Sequence, residues 1–296
     1  MGPRLLQRRR KETKYTLRLL PIGGYVAMEG EQGDSEDPGA FEAKPPWQKG
    51  IIILAGGVVN LLTGVLLMLI VLSSAKLIAT PVVKDFDRGA VTQQQGLRAG
   101  DRITAVDSHR IYTSYDISYY MGTDADGIVT LTVDRAGEKV VLPDVKLDAD
   151  RFDFQLKGVQ PTFGTVSKYA WADSVSMARI VWDSLWKLIS GQYGLSALSG
   201  PIGTIGLMAN TSSQAAASSN WQTMLLLWAL LAVNIGVFNL IPFPALDGGR
   251  FFFIVLEGIR RKPVSEQTQA AVNSFGMIFL IGLMVVVTIS DIVKLT

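Results

Sequence analysis

Three long runs of apolar residues dominate the hydropathy pattern of the chain. They cover residues 51–72, 221–241 and 273–290, and none of them contains a charged side chain. A helix needs about 20 such residues to cross a bilayer. One run of this kind fits a buried helix of a soluble protein, but three in one chain favour a membrane protein. We therefore predict three transmembrane helices.

The basic residues lie asymmetrically around these runs. Because cytoplasmic loops of membrane proteins are enriched in Lys and Arg, the segment before the first run and the segment between the second and third are predicted to be cytoplasmic. The long stretch between the first two runs is then extracytoplasmic. The basic residues behind this prediction are Arg4, Arg8, Arg9, Arg10, Lys11, Lys14, Arg18, Lys44, Lys49, Arg250, Arg260, Arg261 and Lys262.

Between the first two runs, residues of about 80–158 have the pattern of a small soluble α+β domain. Residues 102–107 alternate between apolar and polar positions, as a strand does. Residues 128–133 and 139–142 flank the turn 134–137, which predicts a β-hairpin.

Residues 159–220 have a mixed pattern. Apolar residues recur at helical spacing in residues 171–189, together with Trp182 and Trp186. This predicts an amphipathic helix, which either lies at the membrane interface on the outer side or packs against the soluble domain. Both placements fit the sequence. Residues 211–220 are small and polar, which is typical of a linker.

Composition supports the membrane assignment and narrows the chemistry. Of the residues, 48% are hydrophobic and 18% are charged, against about a quarter charged in soluble proteins. A net charge of +2 does not favour nucleic-acid binding. There is no cysteine, which excludes disulfides and thiolate metal sites, and His109 is the only histidine.

The end of the second run carries the clearest candidate chemistry, in the sequence NLIPFPALDGGR of residues 239–250. Pro242 and Pro244 cannot continue a helix, so the backbone becomes irregular near membrane depth. Such backbone is tolerated only where it is buried in protein or lines a wet cavity. Asp247 beside it is therefore a candidate functional carboxylate. The alternative is a helix-ending turn in which Asp247 caps a following helix.

The sequence NLIPFPALDGG resembles the Asn-x-x-Pro-x-Pro-x-x-Asp-Gly motif of the site-2 proteases, a family of intramembrane zinc metalloproteases. This resemblance implies that Asp247 is the third zinc ligand. It also implies that Asn239, Pro242 and Pro244 line the substrate groove.

Further blocks extend the resemblance over essentially the whole chain. RLLPIGGYV, residues 18–26, is similar to the family's membrane re-entrant β-hairpin, which implies that Gly23, Gly24 and Tyr25 hold substrate as an added strand. Residues 54–60 (LAGGVVN) and 198–203 (LSGPIG) match as well.

The block GLRAGDRITAVDSHRI resembles the bacterial PDZ domains of membrane and envelope proteases. In such domains a loop near this motif offers backbone N–H groups to a peptide carboxylate, and the peptide adds to a sheet edge. The resemblance implies that Gly96, Leu97, Gly100 and Asp101 form this loop and that peptide C-termini are its ligands. The alternative is an ordinary turn before a strand.

One part of the family pattern is absent from the sequence. The family's zinc site requires His-Glu-x-x-His on a transmembrane helix upstream of the hairpin, with the glutamate as general base. His109 is followed by Arg110 and lies in the outer segment. We therefore expect the chain to begin after that helix, to contain no catalytic residue of the motif, and to be inactive alone.

These observations predict a polytopic α-helical membrane protein with three transmembrane helices present and a fourth, N-terminal one missing. It carries an inserted α+β PDZ domain and a membrane-associated β-hairpin. The expected segments are residues 1–50 with the hairpin, 51–79 transmembrane, 80–158 PDZ, 159–220 amphipathic and linker, 221–248 transmembrane, 249–272 cytoplasmic and 273–296 transmembrane.

The function predicted from the resemblance is zinc-dependent cleavage of the transmembrane segments of single-pass proteins within an inner or plasma membrane. The expected cofactor is Zn²⁺ and the expected surroundings are the lipid bilayer, with no nucleic acid. A non-catalytic PDZ adaptor is the alternative. A transporter also uses broken helices, but three spans without an internal repeat argue against it.

Overall fold

A computed structural model of the chain describes residues 3–10, 13–19, 26–30, 37, 39–123, 127–147, 152–192, 221–262 and 264–295. The chain divides into two compact units, residues 1–51 and residues 52–296. The predicted linker 211–220 and the LSGPIG block lie outside the described residues.

The first unit contains an antiparallel hairpin formed by β1 (Arg4–Arg10) and β2 (Thr13–Arg18). The re-entrant hairpin was predicted at residues 18–26, and β2 ends at Arg18, the first residue of that stretch. Gly23, Gly24 and Tyr25 are outside the described residues, so their predicted contact with substrate stays a prediction.

Three helices are long and apolar enough to cross a membrane: α1 (Pro46–Ser73), α5 (Trp221–Leu240) and α7 (Glu266–Leu295). They contain the three apolar runs except Ile241, which follows the end of α5. In the most apolar window of each helix, only 22%, 17% and 17% of the residues are buried by protein. Most of this apolar surface is therefore left for lipid.

Helices α1 and α5 pack against each other in antiparallel fashion. Near one end, the Gln222 Nε2 donates a hydrogen bond of 2.7 Å to the carbonyl oxygen of Ser74. Farther along, a Cβ added at Gly236 would lie 2.9 Å from the carbonyl oxygen of Gly57. Backbones this close require glycine at the crossing, which is a common device between membrane helices.

The segment between α1 and α4 (Phe163–Ile189) forms an α+β domain, in agreement with the alternating pattern. Its sheet has the strand order β7-β6-β4-β3-β8, with β5 paired to β4. The strands are β3 (Ile78–Phe86), β4 (Arg102–Val106), β5 (His109–Arg110), β6 (Ile128–Arg135), β7 (Glu138–Lys146) and β8 (Phe154–Val159).

Two helices complete this domain, α2 (Val91–Gln94) and α3 (Ser114–Gly122). Its core contains fully buried side chains from four strands and from α3, including Val83, Ile103, Ile117, Leu131 and Val145. The predicted β6–β7 hairpin is confirmed, and Ala136 and Gly137 at its turn both have positive φ.

Helix α4 (Phe163–Ile189) follows β8 directly and joins the domain to the long helices. Tyr169, Ala170 and Met177 are buried against residues of α1 and α5. On another side, Ser184 lies 2.8 Å from the Tyr119 hydroxyl of α3. Helix α4 therefore packs on the domain, which was one of the two predicted placements, and Trp171, Trp182 and Trp186 stay exposed. Its position at the membrane interface stays a prediction.

Candidate active site

A tight turn connects α5 to the next helix, α6 (Asp247–Arg260). The Leu246 N–H donates to the Phe243 carbonyl at 3.2 Å, and Ala245 has a φ of 74°. A proline in second position and a positive φ in third position are the features of a type II turn. Because the third position normally requires glycine, Ala245 holds this turn under backbone strain.

Helix α7 packs against this turn and accepts a hydrogen bond from it. The Asn273 Oδ1 accepts a hydrogen bond of 3.2 Å from the Ala245 N–H. One turn farther along, a Cβ at Gly276 would lie 2.5 Å from the Pro244 Cβ, and the Phe279 ring lies 5.7 Å from that of Phe243. Sequence reasoning missed this contribution, although a polar residue and a glycine three positions apart opening the third run are a readable signal.

The two glycines after Asp247 allow the start of α6 to lie directly on the turn. A Cβ at Gly248 would lie 2.2 Å from the Ile241 carbonyl oxygen, and one at Gly249 would lie 2.2 Å from the Phe243 carbonyl oxygen. No side chain fits at these distances. The Asp-Gly-Gly sequence is therefore a packing requirement of the turn.

Asp247 is the first residue of α6, whereas Leu246 is its N-cap. The alternative that Asp247 caps this helix is therefore wrong. A carboxylate in the first turn is stabilised by the helix dipole. Its Oδ2 faces α1, because a Cβ added at Gly56 would lie 3.3 Å from it. The lack of a side chain at Gly56 lets the carboxylate lie against that helix.

The other predicted groove residues lie close by in the chain. Asn239 is the penultimate residue of α5 and is half-buried, Pro242 is exposed and Pro244 is half-buried. Pro242 is thus the most accessible member of the motif. Their contact with substrate stays a prediction.

The described residues do not form a complete zinc site by themselves. Among them there is no group of three His, Asp or Glu side chains that could hold a metal ion, and a catalytic zinc needs three protein ligands. His109 stacks on Tyr120 at 4.3 Å in the α+β domain, with its Nε2 3.9 Å from Asp183. Asp247 alone of the predicted ligand set is present.

The loop Gly96–Asp101 is held from within the domain. The Leu97 side chain is fully buried, and the Asp101 carboxylate accepts hydrogen bonds of 2.8 and 2.7 Å from Arg135. Burial raises the pKa of Asp101, but the hydrogen bonds and the charge of Arg135 outweigh it, so the pKa is lowered from its ordinary value.

Five backbone N–H groups of this loop also have partners. Those of Gly96, Leu97, Gly100 and Asp101 donate to carbonyl oxygens, and that of Arg98 donates to the Asp101 carboxylate. Peptide binding at the loop stays a prediction, and it requires a rearrangement to free these donors.

A buried acidic pair lies between α3 and α4. Asp116 is completely buried and accepts hydrogen bonds from Ser176 at 2.9 Å and from the Tyr112 N–H at 2.8 Å. Burial, together with the charge of Asp116, raises the pKa of Asp173 to about 7. Sequence reasoning missed this pair, because its two members are separated by the whole β6–β8 region.

Comparison with known proteins identifies the family. The model of peptidase family M50 matches residues 1–283. A predicted zinc metalloprotease of Clostridium acetobutylicum is 34% identical over 99% of this chain and 86% of its own length. The zinc metalloprotease RasP of Shouchella clausii is 28% identical over 100% of this chain and 90% of its own length. The chain therefore belongs to peptidase family M50, the site-2 protease family of zinc metalloendopeptidases.

Proposed function

We propose that this protein cleaves transmembrane segments of single-pass membrane proteins, either membrane-anchored regulators or remnant signal peptides. The observation that carries the proposal is the position of Asp247. Its carboxylate lies at the start of α6, against α1 and directly after a strained Pro-x-Pro turn. Strained backbone that the surrounding structure holds in place is typical of functional sites.

In this proposal Asp247 is a zinc ligand, and the metal supplies Lewis acidity and an activated water. The chain's own residues fix the ligand and receive the substrate. Asn273 and Gly276 hold the turn, and the turn holds the start of α6 and therefore Asp247. Pro242 and Pro244 have no N–H, so this segment offers carbonyl acceptors, while the Asn239 amide supplies donors for an unwound substrate backbone.

The sequence contains one histidine, so it has no His-Glu-x-x-His segment that could supply the two remaining zinc ligands and the general base. We propose that a His-Glu-x-x-His helix supplies them and that the chain has no proteolytic activity without it. Asp247 would be the third ligand. Because its carboxylate faces α1, this ligand would lie on the α1 side of the zinc site.

The test compares purified proteins on a transmembrane peptide substrate. The unextended chain should not cleave the peptide, and the chain extended by a family helix with His-Glu-x-x-His should cleave it in a chelator-sensitive way. Asp247→Ala in the extended form should lower both activity and bound zinc. Zinc-dependent cleavage by the unextended chain would overturn the ligand assignment, and full activity of the Asp247→Ala form would remove Asp247 from the site.

We further propose a multi-pass topology in an inner or plasma membrane, with Asp247 toward the cytoplasm and the α+β domain outside as a PDZ domain that binds peptide C-termini. Thr123 and Ser265 are both exposed, and the chain has no cysteine. In intact cells an impermeant thiol reagent should label Thr123→Cys and leave Ser265→Cys unlabelled. The reverse labelling would invert the topology.

A membrane adaptor without catalytic activity is the second candidate, because the described residues contain only one of the expected zinc ligands. An adaptor would bind membrane substrates through the same groove and release them uncut. Persistent lack of cleavage by the extended form, with substrate binding that Asn239→Ala weakens, would favour this candidate over the protease.

A further inference from the structure

The β1–β2 hairpin concentrates positive charge near its turn. Residues 4–18 contain seven basic residues and one acidic residue, Glu12, whereas the whole chain has a net charge of only +2. Four basic side chains toward the turn are exposed, and in the part of the chain that the structure describes none of them is in an ion pair. They are Arg8, Arg9, Arg10 and Lys14.

The strand register brings like charges together. Arg9 is directly opposite Lys14, and Arg8 and Arg10 flank this pair on the same strand. Like charges directly opposite each other destabilise a sheet, and a two-stranded hairpin is at best marginally stable in water. A surface of negative charge would relieve this repulsion and stabilise the hairpin.

Exposed apolar side chains lie between the basic turn and the Arg4–Arg18 pair at the open end of the hairpin. Leu6 pairs with Leu17, and both side chains are at least 60% exposed, as is Tyr15. From Leu6 to Arg10 a strand extends about 13 Å, which exceeds the roughly 6 Å of headgroup region on each side of a bilayer. With Leu6 and Leu17 in the headgroup region next to the hydrocarbon boundary, the strands would bring the basic side chains near the turn across the headgroups.

We propose that the β1–β2 hairpin binds the phosphate groups of anionic phospholipids in the leaflet that this unit faces. The same unit contains the start of α1 with its exposed Trp47, a residue type that favours the membrane interface. Exposed apolar side chains next to a cluster of basic side chains are the pattern of segments that bind anionic membrane surfaces. The zinc site takes no part in this interaction.

The test measures how close the turn lies to lipid headgroups. A fluorophore on Thr13→Cys in the full chain is reconstituted into vesicles that carry a headgroup-attached nitroxide quencher. One set contains phosphatidylcholine alone, and the other contains about a third phosphatidylglycerol. We expect roughly twofold more quenching in the anionic vesicles. The difference should vanish in about 1 M salt, where the Debye length falls to about 3 Å.

Charge variants separate lipid binding from folding. R8Q/R9Q/R10Q should lose the difference between the two vesicles, and R8K/R9K/R10K should keep it. The matched control K139Q/K146Q/K157Q removes three exposed charges from the α+β domain and should also keep it.

Equal quenching in both vesicles, or a glutamine variant that behaves like the parent, would overturn the proposal. Equal and salt-independent quenching would show insertion through the leucines alone. If an added apolar peptide lowers the quenching whatever the lipid charge, the hairpin binds a peptide and not the lipid phosphates.

Discussion

At the scale of single residues, Ala245 carries the strain of the candidate site. A left-handed conformation costs a residue with a side chain about 1–2 kcal/mol, and the hydrogen bond from its N–H to Asn273 helps to hold it there. The strained residue lies two positions before Asp247. The turn therefore presets the direction from which the carboxylate approaches α1.

Ala245→Gly should relieve this strain. Glycine adopts a positive φ freely but adds entropy to the unfolded chain, so we expect stability to hold or to rise by up to about 1 kcal/mol. The control is Ala270→Gly in the exposed part of α7, which should cost about 1 kcal/mol. Thermal unfolding in detergent measures both, and equal losses in the two variants would show that Ala245 is unstrained.

The sequence predicted part of this site and could not predict the rest. Two prolines and Asp-Gly-Gly give an interrupted helix followed by a carboxylate, because prolines end helices wherever they occur. The support from Asn273 and Gly276 depends on how α7 returns to the turn, which local patterns do not encode. Likewise, the burial of the Leu97 and Asp101 side chains depends on partners distant in the chain, such as Arg135, which local patterns do not encode.

At the scale of elements, the α1–α5 pair sets where Asp247 lies. Gly57 and Gly236 allow the two backbones to approach, and Gly64 accommodates Val233 farther along. The three apolar runs predicted the helices from length and composition, which is the strongest signal in a membrane sequence. The pairing of these helices could not be predicted, because small residues indicate that a helix packs closely but not which helix lies opposite.

Gly236→Ala should separate this pair. Its Cβ would lie 2.9 Å from the Gly57 carbonyl oxygen, and overpacking of this kind typically costs about 1–3 kcal/mol. In contrast, Gly282→Ala in α7 meets no atom within 4 Å and should gain up to about 1 kcal/mol from helix propensity. Opposite shifts of the unfolding temperature are expected, and a stabilising Gly236→Ala would contradict the close crossing.

At the scale of the whole chain, α4 connects the α+β domain to the long helices by packing against both. It continues from β8, buries apolar side chains against α1 and α5, and meets α3 through the Asp116–Asp173 pair. The sequence predicted an amphipathic helix here but left its partner open. Its hydrophobic side has two partners from distant parts of the chain, and periodicity reports only that a face is buried.

The free energy of unfolding should depend on pH through Asp173, which lies at the contact between α3 and α4. Its pKa is raised from 3.8 to about 7 by burial and by the charge of Asp116, so the folded state favours the protonated carboxyl. Below about pH 4 the Asp173 carboxyl is protonated in both the folded and the unfolded state, so it does not lower the free energy of unfolding. Between about pH 4 and 7 only the unfolded state ionises, and stability should fall by up to a few kcal/mol as the pH rises, then level off.

Asp173→Asn should remove this slope, because the amide cannot ionise. The variant should match the parent near pH 4 and exceed it in stability at pH 8, as measured by thermal unfolding in detergent across that range. Asp144→Asn, at an exposed position in β7, is the control and should keep the parent's dependence on pH. If Asp173→Asn retains the slope, another group at the α3–α4 contact titrates. If it is less stable than the parent at pH 8, the ionised carboxylate stabilises the α3–α4 contact and the sign of the argument is reversed.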